Sequence, residues 1–383
     1  MANPGDDVYG SPEHLAFRET VRRFVQTELT PRAREFDQMG RIDKSLYRKM
    51  GALGLLGIRY GEQYGGQGLD YSYQAIFLEE VALCDNAGVC MGISVQTDMA
   101  TPALHRFGSE ELKQRYLVPA IRGEQVAAIA VTEPSAGSDV AGIRTRAVRD
   151  GDQWVINGSK MYITNAATAD WLCLLAVTDS EAGYGGFTQI VVPTDSRGFS
   201  YQLLDKIGNR GSDTGLLFFD DVRVPVANTI GDPNRGFQQQ MMQFQDERMV
   251  VVVTAPVTAR RLWELTLQHC RERKLFGKPL AKMQVTQHKL VDLMSDRCVH
   301  FLHKMETLAL KGLIPRLATL LLEKAENGVV AGMTHKDMAD HLAVHRESIT
   351  ATLGELRRAG IITIERKTIR ILHRERLERA RQE

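Results

Sequence analysis

The sequence predicts a multidomain α+β chain: an all-α N-terminal domain, a small β-barrel or β-sandwich middle domain, a further helical segment and a C-terminal winged helix-turn-helix. Three observations predict it. Apolar residues recur with a period near 3.6 in the first third, as in Leu15, Phe17, Val21, Phe24, Val25 and Leu29. From 126 to about 230 the chain changes to short β-rich runs separated by Gly, Asp and Ser. The end reads helix, tight turn, helix and two short strands, the order of a helix-turn-helix with its wing.

Length and composition bound the rest. At 383 residues the chain has room for two to four domains, and 43% hydrophobic with 25% charged residues suits globular domains with real cores. A net charge of +1 gives no global pull towards nucleic acid or membrane. Cys84, Cys90, Cys173, Cys270 and Cys298 are odd in number and widely spaced, which argues for a reducing compartment and against a disulfide framework or zinc site. The polar start, with Pro4 and Gly5, does not read as a secretory signal. The apolar run Met249–Val257 is too short to span a bilayer. The expected location is cytoplasmic, with no membrane partner.

Taken in order, residues 12 to about 125 read as helices, with Pro31 closing or kinking the first and the glycines of Tyr60–Gly68 marking a loop. Thr101–Leu112 starts another helix pair. In the next segment Trp154–Gly158 reads as a hairpin with an Asn-Gly turn, followed by strands at Leu172–Thr178, Gln189–Pro193, Leu216–Phe219 and Val222–Pro225. Residues 236 to about 294 return to helix. Val291, Met294, Cys298, Phe301, Met305 and Leu308 then advance by alternating threes and fours, an a/d seam suited to pairing two helices or to a core helix. Thr334 can cap a helix over His335–Leu342, Ala343-Val344 makes the turn, and His345–Ala359 is a second helix ending at Gly360. Ile361–Glu365 and Lys367–Leu372 form the wing.

The chemistry concentrates at Ala130–Gly142. It follows a buried strand and holds Pro134, Gly137, Gly142 and the hydroxyls of Thr132, Ser135 and Ser138. Glycines allow close backbone approach, and consecutive N–H groups in such a turn bind phosphate or a ring carbonyl. The residues alone stop at a cofactor- or anion-binding loop, or an ordinary turn.

The string Ala130-Val131-Thr132-Glu133-x-x-Ala136-Gly137-Ser138-Asp139 resembles the signature loop of the acyl-CoA dehydrogenase family. Asn157-Gly158-Ser159-Lys160-x-Tyr162-Ile163-Thr164-Asn165 resembles that family's second flavin motif. Ile207–Thr214 with Phe219–Pro225, and Arg271–Leu280 with Gln284–Leu290, match further segments. The resemblance implies FAD as cofactor, held by Ile129, Ala130, Val131, Thr132, Gly137, Ser138, Tyr162, Ile163 and Thr164. It implies that Arg273, Phe276 and Gln284 touch the FAD of a neighbouring subunit, hence a homo-oligomer. The implied substrate is an acyl-CoA thioester, bound by Ser138, Gln245, Arg248, Ser212 and Asp213, and the implied electron acceptor is an electron-transfer flavoprotein or similar. α,β-Dehydrogenation needs a carboxylate for the α-proton, and a minority of the family places it in a helix reading x-x-Glu-Arg. Gln245-Asp246-Glu247-Arg248 makes Glu247 that base, and Gln245 departs from the family's frequent Asp.

After about 295 the likeness is expected to stop, leaving an incomplete helical bundle. The tail, with Arg316-Leu317-Ala318, Thr334-x-x-Asp337-Met338-Ala339 and Val344-x-Arg346-Glu347-Ser348-Ile349, resembles the DNA-binding end of the catabolite-activator (Crp/Fnr) family. From Val344 to Arg381 ten Lys/Arg face five Glu, which suits phosphate contact. The resemblance places Arg346, Glu347, Thr350, Ala351 and Arg357 towards DNA, with Ala351 where the family often has Arg. The expected divisions are 1–125 helical, 126–232 β, 233–294 partial helical, 295–313 dimerisation helix and 314–383 winged helix. The leading reading is an FAD-dependent acyl-CoA dehydrogenase with an appended DNA-binding domain. Two rivals stand beside it: a Crp/Fnr-like transcriptional regulator, and a non-functional fusion.

Overall fold

The computed structural model describes residues 10–292, 313–325, 328–342, 346–365 and 368–380, which divide into two compact units between residues 262 and 263. The first unit opens with a helical layer: α1 (Pro12–Phe24), α2 (Ala33–Met39), α3 (Lys44–Ala52), α4 (Tyr71–Val81), α5 (Ala87–Ser94), α6 (Thr101–Phe107), α7 (Glu110–Leu112) and α8 (Val118–Ile121). The starts follow from capping. Ser11, Asp43, Asp70 and Asn86 each accept a backbone N–H of the first turn, satisfying donors that have no intrahelical partner. Pro31 lies in a 3-10 turn after the π-helical Val25–Leu29, where the missing N–H separates α1 from α2. Phe36, Leu46, Tyr47, Met50, Phe77 and Leu78 are wholly buried in the core of this layer.

The middle of the unit is a seven-stranded sheet: β1 (Ala127–Ala130), β2 (Arg146–Asp150), β3 (Gln153–Thr164), β4 (Trp171–Val177), β5 (Phe187–Pro193), β6 (Phe199–Leu203) and β7 (Thr214–Pro225). The order is β1-β4-β2-β3-β7-β6, with β5 on β4; β1 runs parallel to β4 and β3 antiparallel to β7. β4 is apolar almost throughout because it is covered on both faces.

Asn157-Gly158 is not a hairpin turn. It lies inside β3, and the turn is at Gly151-Asp152, where Asp150 pairs with Gln153 and Gly151 has φ +63. Gly158, at φ +145, sits at a register shift, and a Cβ there would come within 2.6 Å of Thr145 Oγ1. The glycine serves a bulge and a close approach rather than a turn. Asn157 is spent on pinning Asp221: its Nδ2 donates to Asp221 Oδ1 at 2.9 Å, and its Oδ1 accepts the Asp221 N–H at 2.9 Å. The two runs read at 216–219 and 222–225 are one strand, β7, passing through Asp221 at φ +49.

α9 (Gly236–Glu272) spans 37 residues with Pro256 inside it. Gly236 starts it against the sheet, since a Cβ there would meet the Gln189 backbone nitrogen at 2.7 Å.

In the second unit, β8 (Lys274–Leu275) and β9 (Lys278–Pro279) form a hairpin turning at Phe276-Gly277, both with positive φ, followed by α10 (residues 284–292). Next come α11 (Leu313–Lys324), β10 (Val329–Ala331), α12 (His335–Leu342), α13 (Arg346–Arg358), β11 (Ile362–Glu365), β12 (Thr368–Ile371) and α14 (Arg374–Ala380). The sheet order β10-β12-β11 adds a third strand to the expected wing. Leu317, Leu321, Met338, Ile349, Leu353 and Ile369 pack its core. Thr334 caps α12: its Oγ1 accepts the Asp337 N–H at 3.1 Å and Asp337 Oδ2 accepts the Thr334 N–H at 2.7 Å. Of the expected dimerisation helix 295–313 only Leu313 is described, and it belongs to α11; the a/d seam beyond Val291 and the Ala343-Val344 turn lie outside the described residues.

Candidate active site

The loop after β1 and the bulge of β3 come together. Met161 N–H donates to Thr132 O at 2.8 Å, and Lys160 Nζ donates to Val131 O at 2.8 Å. Between them the β3·β7 register slips from Lys160 to Ile163, so Tyr162 takes φ +61 and turns outward, 65% exposed, while Ile163 is buried and Thr164 pairs with Thr214. The segment carrying Ile129, Ala130, Val131, Thr132, Gly137 and Ser138 is thus tied, at Val131 and Thr132, to the strand that carries Tyr162, Ile163 and Thr164. Glu133 and Ala136 bond each other across the loop, whereas the N–H groups of Gly137 and Ser138 carry no backbone bond among the described residues. An outward aromatic ring beside free backbone donors and hydroxyls fits a planar, phosphate-bearing cofactor such as FAD.

A cavity of about 640 Å³ adjoins this loop, lined by Ala141, Ile143, Arg144, Arg146, Tyr184 and Phe187. Sequence reading did not single out its two arginines or Tyr184.

Glu247 is positioned by a buried amide network. Gln189 Nε2 donates to Gln240 Oε1 at 3.0 Å and to Gln243 Oε1 at 2.9 Å, and Gln243 Nε2 donates to Met99 O. This pins α9 to β5 and to the π-helical turn Val95–Ala100. One turn after Gln243, the Glu247 carboxyl is half-buried with Oε1 fully covered and without a hydrogen-bond partner. Burial pushes its pKa up to about 8; Arg248 opposes this and Asp246 adds to it. A nearby ionised Glu247 also helps burial push the Cys173 thiol up to about 12.

Beside it lies a charge cluster that sequence spacing did not reveal. Asp246 Oδ2 is 2.7 Å from Arg106 Nη2 and 3.7 Å from Arg59 Nη2; the shorter contact is an ion pair without hydrogen-bond alignment. Asp98 is wholly buried in the π turn. Its Oδ2 accepts from Gln74 at 2.8 Å and Thr97 at 2.6 Å, its Oδ1 has no partner, and burial pushes it up to about 6. A π turn at such a place is frequent near functional sites.

Other expected residues stand apart. Gln245 and Arg248 are exposed on α9. Ser212 and Asp213 are buried and spent on the chain: Asp213 accepts from the Ala167 N–H at 2.7 Å and Thr168 Oγ1 at 2.6 Å, and Ser212 Oγ donates to Asn209 O at 3.3 Å. Their polar atoms brace a loop. In the second unit Arg273, Phe276 and Gln284 are exposed, Phe276 at 92% on its turn. α13 carries Arg346, Glu347, Thr350, Ala351 and Arg357. Thr350 and Arg357 are exposed, Thr350 Oγ1 is 2.9 Å from His335 Nδ1, and the side chains of Arg346, Glu347 and Ala351 lie outside the described ones.

Family models place this geometry. The acyl-CoA dehydrogenase N-terminal domain matches residues 11–124, the middle domain 128–222 and the C-terminal domain 234–311. The chain is 39% identical over 292 residues to the mitochondrial long-chain specific acyl-CoA dehydrogenase of Sus scrofa, covering 76% of this chain and 67% of that one. The chain belongs to the acyl-CoA dehydrogenase family.

Acyl-CoA dehydrogenases are flavin-dependent oxidoreductases that use FAD. A probable acyl-CoA dehydrogenase of Bacillus subtilis (strain 168) is 38% identical over 74% of this chain and 75% of its own. Butyryl-CoA dehydrogenase from Megasphaera elsdenii superposes with a TM-score of 0.71 at 31% identity, covering 78% of each chain. A Crp-like helix-turn-helix domain matches residues 315–380. The dehydrogenase C-terminal match runs to 311, past the 294 at which the likeness was expected to stop, and takes in most of the stretch read as a dimerisation helix. Among the described residues no helix is long and apolar enough to cross a membrane.

Proposed function

We propose that the chain is an FAD-dependent acyl-CoA dehydrogenase in which Glu247 is the base, with a DNA-binding domain appended and domain divisions near 125, 232 and 313. The observation that carries this is Glu247 itself: a carboxyl on a helix locked by buried amides, its Oε1 covered and unpartnered. Such a group is poised to take a proton rather than to hold a fold.

FAD is held by the loop 129–138 with Tyr162, Ile163 and Thr164, and by Arg273, Phe276 and Gln284 of a neighbouring subunit. Bound there, it supplies the two-electron acceptor for the hydride leaving the β-carbon. Glu247 takes the α-proton, the two C–H bonds break, and the α,β double bond forms. Ser138 and Arg248 orient the thioester and the CoA arm. Gln245, Ser212 and Asp213 complete that side in the family pattern, the last two by shaping the loop. Arg144, Arg146 and Tyr184 suit the phosphates and base of a nucleotide end. The electron partner in this reading is an electron-transfer flavoprotein or a similar acceptor.

The test is the visible spectrum of the purified protein before and after a long-chain or branched acyl-CoA. A yellow protein that bleaches supports the reading; a protein that takes up no flavin sinks it. The regulator reading rests on a separate observation, an apolar core shared by α11, α12 and α13 among the described residues, with Thr350 and Arg357 exposed. Selective binding to a two-fold DNA site, weakened by Arg346→Ala, supports that role.

A further inference from the structure

Glu133 and Lys160 are a buried ion pair that the dehydrogenation chemistry does not use. Lys160 is wholly buried and Glu133 nearly so, with Nζ 2.9 Å from Oε1. Lys160 Nζ also donates to Val131 O at 2.8 Å. Glu133 Oε1 accepts the Thr145 N–H at 2.9 Å, and Oε2 accepts the Arg144 N–H at 2.7 Å. One carboxylate near the start of the 131–145 loop therefore gathers two backbone donors from the loop's far end and one side-chain donor from β3. Thr145 closes the ring by donating from Oγ1 to Ser159 O at 3.2 Å.

The position matters as much as the bonds. Lys160 is the last residue in register before the β3 bulge that turns Tyr162 outward. Val131 and Glu133 flank Thr132 on the opposite side. Val131, Ala136 and Ile143 of the same loop belong to an apolar cluster with Leu175 and Phe187. Burying a lysine is costly, and a well-packed apolar pair is often as stable as a buried ion pair. Here the cost shows in Lys160, which burial pulls down to about 8 against the pull of Glu133.

We infer that Glu133 and Lys160 are positioning residues, a clamp that holds the cofactor loop in register with the β3 bulge so that Thr132, Tyr162 and Thr164 face a common ligand. The inference rests on the flavin reading above. The pair fixes shape rather than chemistry.

The experiment compares full-length wild type, Lys160→Met, Glu133→Gln, the double variant and Glu133→Asp. It measures the FAD dissociation constant by flavin fluorescence, apo-protein melting, and hydrogen exchange of residues 131–145. Each single change weakens FAD binding by about tenfold, equivalent to about 1.4 kcal/mol. The double variant recovers the melting temperature but neither FAD affinity nor loop protection. Glu133→Asp keeps the charge but shortens its reach, so it weakens FAD binding with little change in melting. Wild-type FAD affinity in the double variant or in Glu133→Asp overturns the clamp and leaves a merely structural pair. If the wild type binds no FAD, the cofactor reading fails instead. The clamp is then judged on exchange: protection lost at 131–145 with melting retained upholds it, and unchanged protection overturns it.

Discussion

Two carboxyls, the buried Glu133 and the half-buried Glu247, have opposite fates. Glu133 on the sheet side is desolvated, but Lys160 and two backbone N–H groups more than offset burial, and its carboxyl lies below the usual glutamate range. Glu247 on the helix side meets no hydrogen-bond donor at Oε1 and is pushed up to about 8. Burial raises both carboxyls, so desolvation alone does not separate them. The count of donors does. A satisfied buried carboxylate fixes geometry, while an unsatisfied one keeps a proton within easy exchange.

The largest break in this contrast comes from Glu247→Gln. The amide keeps the size and removes the base, so bleaching by acyl-CoA falls by about a thousandfold, within the range for general-base catalysis, while flavin stays bound. Stability responds in the opposite sense. Glu247 binds a proton in the folded chain up to about 8 but releases it near 4.5 when unfolded. Between those pH values the folded chain holds more protons, so stability falls as pH rises, and the variant flattens that slope. Chemical denaturation across the window, paired with stopped-flow bleaching, reads both effects; bleaching that persists in the variant refutes the assignment.

Next in size is the pH dependence of the wild-type reaction. The base must be ionised, so second-order bleaching rises with pH through an inflection near 8. Asp246 is one of the groups holding that value up, and Asp246→Asn moves the inflection to lower pH. It also leaves Arg106 and Arg59 without their carboxylate partner, so the variant melts earlier. An inflection unmoved by this substitution means that Asp246 does not help set the Glu247 value.

The satisfied side makes a smaller and inverted prediction. Lys160 titrates near 8 when folded, against 10.5 ordinarily. Between these values the folded chain binds fewer protons than the unfolded one, so this residue makes stability rise with pH. Lys160→Met removes that rise while lowering FAD affinity. Denaturation midpoints of the two proteins between neutral and alkaline pH check it.

How much of this was legible in the sequence depends on the range of the interaction. Periodicity marked the helices, and Thr334 marked the α12 cap, because both signals lie within a few residues. The loop and the Lys160–Asn165 string were legible as motifs, and the fold brings them together through Met161 and Thr132. Asn157-Gly158 misled because an Asn-Gly pair reads the same whether its glycine serves a turn or a bulge; the decisive neighbour, Thr145, is distant in sequence. Arg59, Asp98, Arg106 and Asp246 left no spacing signal, since they meet only when the turn carrying Arg59 packs with the Val95–Ala100 segment, α6 and α9. Ser212 and Asp213 matched a substrate-side motif, but a motif does not say whether a side chain points out or braces the loop carrying it.

The smallest expected effect is in the second unit, where satisfaction is local and can be tested without any ligand. Thr334 and Asp337 cap α12 reciprocally, and the Asp337 carboxyl is held below its ordinary range by those bonds. Thr334→Ala removes the hydroxyl and strands the Asp337 N–H, costing about 1 kcal/mol. The cap lies at the edge of the helix-turn-helix core, so the loss appears as faster amide exchange over His335–Leu342, and Glu247-dependent bleaching stays unchanged. A change in bleaching would show that the two units share more than a chain. Unchanged exchange would show that α12 is held by Met338 and Leu342 in the core, with the cap contributing little.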